Sequence, residues 1–174
     1  RLEIIIGSDD GVVYCLYGED GSLQWKFVAG DYFWGAPAIG DVDNDGKLEV
    51  IQGNRDSYVY CLDGDEGTLI WKYKMGSHMS SIIALGDVDN DDELEVVFGS
   101  GDYNIYCLNG KDGSLQWKFE SNGEMRSPAL GDVDGDGKLE VIVGSYDDNV
   151  YCLDGEDGTL LWQSNVNGNI WGGV

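Results

Sequence analysis

Basic side chains are scarce in this sequence. Ten lysines and arginines face 33 aspartates and glutamates, a net charge of −23. Nucleic-acid binding relies on a basic surface that neutralises phosphate, so that class is set aside. One histidine, His78, and no recognisable serine–histidine–acid or thiol–histidine arrangement offer little for general acid–base catalysis. No apolar run approaches the ~20 residues of a membrane-spanning helix, and no membrane insertion is expected. The opening "RLEIIIGSDD" lacks a signal-peptide layout and reads as strand almost at once, as in an excised or processed piece. Proline is rare as well, two residues against 27 glycines, which predicts many tight turns between short strands and no helices. What is present suffices for a core: 42% of the residues are hydrophobic and 11% aromatic.

Two phrases recur. The first is "GDVDNDGKLEVI" from Gly40, "GDVDNDDELEVV" from Gly86 and "GDVDGDGKLEVI" from Gly131. The second is "VYCLYGEDGSLQWKF" from Val13, with relatives from Val59, Ile105 and Val150. Cys15, Cys61, Cys107 and Cys152 mark steps of 46, 46 and 45 residues. A fixed period of this size, built from short alternating strands, predicts an all-β fold: a β-propeller of four-stranded antiparallel blades, about four per chain. In one period the strands read "APAIG" (36–40), "LEVIQG" (48–53), "SYVYCL" (57–62) and "TLIWKY" (68–73).

Residues 1–174 thus form one propeller domain. The first blade occupies 1–30 and is closed by a C-terminal strand at 169–174, and the others occupy 31–76, 77–121 and 122–168. Nine positions matching 38–46 are missing where the ends of the repeat would meet. Closure is expected either in cis or between chains, the latter giving a homodimer with an eight-bladed ring, the remaining alternative being a fragment of a longer propeller.

The acidic loops have the spacing of a calcium clasp. A hard divalent cation takes six to eight oxygens from alternate loop positions, with glycine at the sharp turn. Asp41, Asp43 and Asp45, the Lys47 carbonyl and Glu49 fill positions 1, 3, 5, 7 and 9. Asp87, Asp89, Asp91, the Glu93 carbonyl and Glu95 form the second set, and Asp132, Asp134, Asp136, the Lys138 carbonyl and Glu140 the third. The second loop carries Asp92 where the others have Gly46 and Gly137, a substitution aspartate tolerates better than most residues. Asp-rich loops also form simple Asx turns without metal. Three copies at blade spacing favour about three Ca2+ sites per chain, which would remove six of the 23 net negative charges.

"GDVDNDGKLEVIQG" and its copies resemble FG-GAP repeats, the calcium-loop repeats of integrin alpha-subunit propellers and of many microbial surface proteins. "YCLDGDEGTLIW" resembles the tryptophan-docking repeat of pyrroloquinoline-quinone dehydrogenase propellers. The first resemblance implies metal ligation at the positions just named and an extracellular or cell-surface setting. Both imply larger rings, of seven or eight blades.

The repeated tryptophans (Trp25, Trp71, Trp117, Trp162) are read as packing between blades, and the cysteines as buried free thiols, too far apart to bridge. Unpaired thiols leave the compartment open. On the face opposite the acidic loops the repeat breaks down, and variable rims usually carry binding. Phe33, Trp34, His78, Arg126 and Trp171 are the candidate ligand-binding residues there. Trp34 and Trp171 either stack on sugar rings, anchor a peptide, or plug the channel. The expected function is a non-catalytic, calcium-binding extracellular module recognising a protein or glycan. The alternatives are part of a propeller enzyme, quinoprotein-dehydrogenase-like or polysaccharide-lyase-like, and a calcium-stabilised spacer.

Overall fold

A computed structural model describes residues 2–79 and 81–170. Among the described residues, fifteen strands form four antiparallel meanders. The first blade holds β1 (Glu3–Gly7), β2 (Val12–Tyr17) and β3 (Leu23–Val28). The second holds β4 (Ala38–Gly40), β5 (Glu49–Gly53), β6 (Tyr58–Asp63) and β7 (Leu69–Lys74). The third comprises β8 (Ala84–Gly86), β9 (Glu95–Gly99), β10 (Asn104–Asn109) and β11 (Leu115–Glu120). The fourth comprises β12 (Ala129–Gly131), β13 (Glu140–Gly144), β14 (Asn149–Asp154) and β15 (Leu160–Asn165). No helix occurs among the described residues. The chain is the all-β propeller that its repeat implies, with four blades. The C-terminal strand expected at 169–174 falls mostly on residues 171–174, outside the described residues.

The inner strand is shorter than the pattern suggested, three residues where five were expected. Pro37 precedes it, and proline has no N–H to give a ladder. In the second blade Cys61 pairs with Ile51 on one side and with Trp71 on the other. The register then shifts, so that Leu62 faces Leu69 and Ile70 is the extra residue of a bulge. The same shift follows Cys15, Cys107 and Cys152.

Strand alternation divides each blade into two faces. On β6, Val59 and Cys61 point forward into a cluster with Phe98, Tyr106 and Leu108 of the third blade. Tyr60 and Leu62 point backward, packing with Val13, Cys15 and Trp25 of the first. Val97, Ile105 and Cys107 meet Val141, Val143, Tyr151 and Leu153 in the same way. The core therefore lies between blades. All four cysteines are buried free thiols, and burial raises the pKa of each.

Three of the repeated tryptophans lock one blade to the next. The Nε1–H groups of Trp25, Trp71 and Trp117 donate to the carbonyls of Gly64, Gly110 and Gly155 at 2.8, 2.7 and 2.8 Å. Beneath each indole lies a second glycine, Gly67, Gly113 or Gly158, where an added Cβ would come within 2.4–2.6 Å of the ring. These glycines have φ near +70° as well, so both backbone shape and space require them.

Candidate metal centres and recognition face

Each acidic loop joins an inner strand to its neighbour and wraps around its first aspartate. Asp41 accepts the Asp45 amide on Oδ1 at 3.1 Å and the Gly46 amide on Oδ2 at 3.0 Å. Asp87 does the same for Asp91 and Asp92, and Asp132 for Asp136 and Gly137. Asp45, Asp91 and Asp136 each accept the amide two residues on, at 2.8 Å. The turn needs left-handed backbone, which Gly46 supplies at φ +87° and Gly137 at +90°. Asp92 adopts it too, at φ +68°, so the second loop has the same backbone course despite lacking glycine there.

The glutamates at position 9 close the loops from below. Glu49, Glu95 and Glu140 are buried, and each accepts through Oε2 the amide of position 2, from Val42, Val88 and Val133 at 2.8–2.9 Å. The Glu95 carboxylate is the deepest, with no exposed surface. Burial pushes its carboxyl up to about 7, the charges of Asp89, Asp91 and Asp87 add to this, and the Val88 amide opposes it. Glu49 is raised for the same reasons, burial first. Asp89 is raised mainly by burial, and its Oδ1 has no hydrogen-bond partner.

Carboxylate oxygens of Asp41, Asp43 and Asp45 lie within 4.8 Å of one another, as do those of Asp132, Asp134 and Asp136. In the second loop the convergent set is Asp87, Asp89 and Glu95, not the three aspartates. An all-oxygen donor set with a buried, unpartnered carboxylate oxygen suits a hard divalent cation. The side chains at position 7 lean outward instead. Lys47 and Lys138 meet Asp65 and Glu156 of the adjoining turns at 3.7 and 2.7 Å, while Glu93 meets Lys111 at 3.2 Å. Only the main-chain carbonyls of these three residues are thus offered as ligands.

On the opposite face, a cleft of about 310 Å³ is lined by Trp34, Arg55, His78, Glu124, Arg126 and Tyr146. Trp34, His78 and Arg126 come together there. Phe33 does not: it is buried, bridges Asn54, and packs edge-on against Tyr60 at 6.1 Å between ring centres. Met79 and Met125 hold the same repeat position and are buried likewise, each over a glycine of the second strand. Phe33, Met79 and Met125 point inward because each forms an isolated β-bridge, and Trp34, His78 and Arg126 beside them are left on the rim. Trp171 lies outside the described residues.

Arg55 and Tyr146 were missed from sequence. They share one repeat position, in the connection between second and third strands, and there the turns of the last three blades read "GNRDS", "GSGDY" and "GSYDD". That variability was the available signal. Arg55 lies over the Tyr32 ring at 4.9 Å and is hydrogen-bonded to its hydroxyl, and Arg126 lies over Tyr146 at 4.7 Å. The His78 ring packs on Gly101, and its Nδ1 is 3.2 Å from Ser77 Oγ.

Tryptophan-docked antiparallel blades define the chain as a β-propeller of quinoprotein-like repeats. Residues 55–172 match the family model PQQ_2, described as "Outer membrane protein assembly factor BamB", and the chain belongs to this family. Among solved structures it is similar to BamB from Moraxella catarrhalis, at 23% identity and a TM-score of 0.71, covering 94% of this chain and 45% of that one. It is similar also to the computationally designed Ika8 protein, at 17% identity and a TM-score of 0.77, covering 99% of this chain and 49% of that one. The chain spans about half the length of both. No curated protein matches it.

Proposed function

We propose that the chain is a calcium-clasped propeller module that recognises a protein through its variable face, outside the cytoplasm. The observation that carries the metal reading is the second loop, where Asp87, Asp89 and Glu95 converge around a wholly buried carboxylate and an unpartnered oxygen. The other two loops repeat the same wrapping. Calcium there neutralises carboxylates that burial otherwise penalises, and ties the inner strand of each blade to the next strand. These loops are the part of the chain that resembles FG-GAP repeats.

Protein recognition is supported by the family description, an assembly factor for outer membrane proteins, and by the cleft with Trp34 at its edge. An envelope or extracellular setting is supported by the same description. A glycan is the second reading, favoured by the exposed Trp34 indole beside two guanidinium groups. In this reading a second copy of the chain completes the arc to eight blades.

Titration calorimetry with calcium tests the metal reading, with about three ions bound per chain expected and none overturning it. Pull-down on immobilised envelope proteins and on glycan arrays, with Trp34→Ala as the comparison, tests the recognition face. Equal binding by wild type and variant would reject the cleft as the binding surface.

A further inference from the structure

The position just before the repeated tryptophan varies between blades: it is Gln24, Ile70, Gln116 and Leu161 in turn. In each blade it is the extra residue of the bulge that follows the cysteine. A bulge re-aims the side chain it inserts. In the third blade that side chain is Gln116, and it reaches the acidic loop of its own blade. Its Nε2 donates to Asp89 Oδ2 at 3.2 Å and to Glu95 Oε1 at 3.4 Å, while its Oε1 accepts from the Cys107 thiol at 3.3 Å. Ionised carboxylates only accept, so the amide nitrogen must be the atom that faces them. The third blade has another blade packed on either side, so this arrangement lies well inside the chain.

The loop served by Gln116 differs from its copies at the same residue. Asp43 and Asp134, at position 3 of the first and third loops, turn Oδ1 to the amide of position 5 at 3.1 and 3.0 Å. Asp89 has no partner for Oδ1 and turns Oδ2 to Gln116. The convergent carboxylates are three aspartates in the first and third loops, but Asp87, Asp89 and Glu95 in the second. The blades carrying the other two loops have Ile70 and Leu161 at the bulge, side chains with nothing to donate.

This inference rests on the calcium reading proposed above. We infer that Gln116 is a positioning residue that holds Asp89 and Glu95 together toward one cation and makes the second loop the tightest of the three calcium sites. Two neighbouring carboxylates repel each other, and a donor shared between them offsets that repulsion before the ion arrives. With Asp89 Oδ2 held by Gln116 and Glu95 Oε2 held by the Val88 amide, Asp89 Oδ1 is the oxygen left to the ion. Hydrogen-bond partners that orient metal ligands in this way typically change affinity by about 10–100-fold.

Calcium titration calorimetry on the full chain is the test. The wild type is expected to bind one ion at least about tenfold more tightly than the other two. Gln116→Leu installs the fourth blade's residue at an exposed position, so the metal-free melting temperature should stay within a few degrees of wild type. The tightest site should weaken by about 10–100-fold while the other two constants hold. In a Glu95→Gln background, where that site is already lost, the same change should move neither remaining constant. Ile70→Gln, at the matching bulge of the second blade, should tighten the first loop by about tenfold. A wild type that binds no calcium overturns the metal reading and this inference together. Calcium binding that Gln116→Leu leaves unchanged at every site overturns the role of Gln116 while the metal reading stands. Equal weakening of all three sites overturns it too, because a general loss of structure, not local positioning, has that effect.

Discussion

The Trp71 indole of the second blade donates a hydrogen bond to the Gly110 carbonyl of the third at 2.7 Å, and its ring lies over Gly113. A blade is therefore held to its neighbour by one polar contact inside an apolar joint. Truncation to alanine should remove the bond and leave a cavity, destabilising the protein by about 3–5 kcal/mol in urea unfolding. Gly113→Ala should also destabilise, by at least ~1 kcal/mol, because it forces both a left-handed alanine and a clash with the indole. Gly46→Ala, at φ +87° in open space, should show the backbone penalty alone. Equal effects of the two glycine changes would argue against docking of the indole.

Calcium is expected to raise the melting temperature and chelator to lower it, since an ion bound only by the folded state stabilises it by about 2.7 kcal/mol at a hundredfold excess over its Kd. Glu95→Gln separates metal from fold. Glutamine still accepts the Val88 amide but removes a buried charge. Metal-free, the variant should melt at or above the wild-type temperature. With calcium, it should bind two ions per chain where the wild type binds three. An unchanged count by calorimetry would remove Glu95 from the ligand set.

Asp102 gives a signature at acid pH. Burial pushes its carboxyl up, but hydrogen bonds from Tyr106 and Asn104 outweigh that and hold it below the usual aspartate value. A depressed folded pKa contributes stability that is complete above the unfolded value near 3.9 and is lost as pH falls through the folded one. Tyr106→Phe keeps the ring stacked on Phe98 and removes the 2.6 Å bond. It should cost ~1 kcal/mol at pH 7, and the gap from wild type should narrow below about pH 4. A gap that holds constant down to pH 2 would show that the bond does not favour the ionised carboxylate.

Trp34 and Phe33 are neighbours with opposite fates, 58% and 3% exposed. Trp34→Ala should leave the melting temperature within a degree or two and weaken partner binding about tenfold or more, as loss of an exposed aromatic anchor does. Phe33→Ala should destabilise by about 3–5 kcal/mol, with weaker binding only through unfolding. The paired melts and binding curves distinguish a recognition residue from a core residue.

Local chemistry made much of this chain readable in advance. Aspartate at alternate positions, followed by a glycine or its one aspartate substitute, specifies the wrapped loop because the hydrogen bonds involved span only two to five residues. The 45–46-residue step of the cysteines and tryptophans specifies the blades, and strand alternation assigns Tyr60 and Cys61 to opposite faces. The rim was less legible. Periodicity has no phase in a loop, and an isolated bridge from Phe33 to Asn54 decides which residue of Tyr32, Phe33 and Trp34 turns inward. Arg55 reaches Tyr32 across 23 residues, a pairing no local pattern encodes.

The sequence alone therefore determined the repeat, the strands within it and the acid positions of each loop, all properties of short segments and their spacing. Tertiary structure decided which carboxylates converge, placing Glu95 rather than Asp91 with Asp87 and Asp89, where Gln116 of β11 donates to both Asp89 and Glu95 at 3.2 and 3.4 Å. It decided as well that Trp25, Trp71 and Trp117 are docked while Trp162 stands open. Identical residues in identical repeats differ only in whether another blade lies in front of them, and that is a property of the assembled arc.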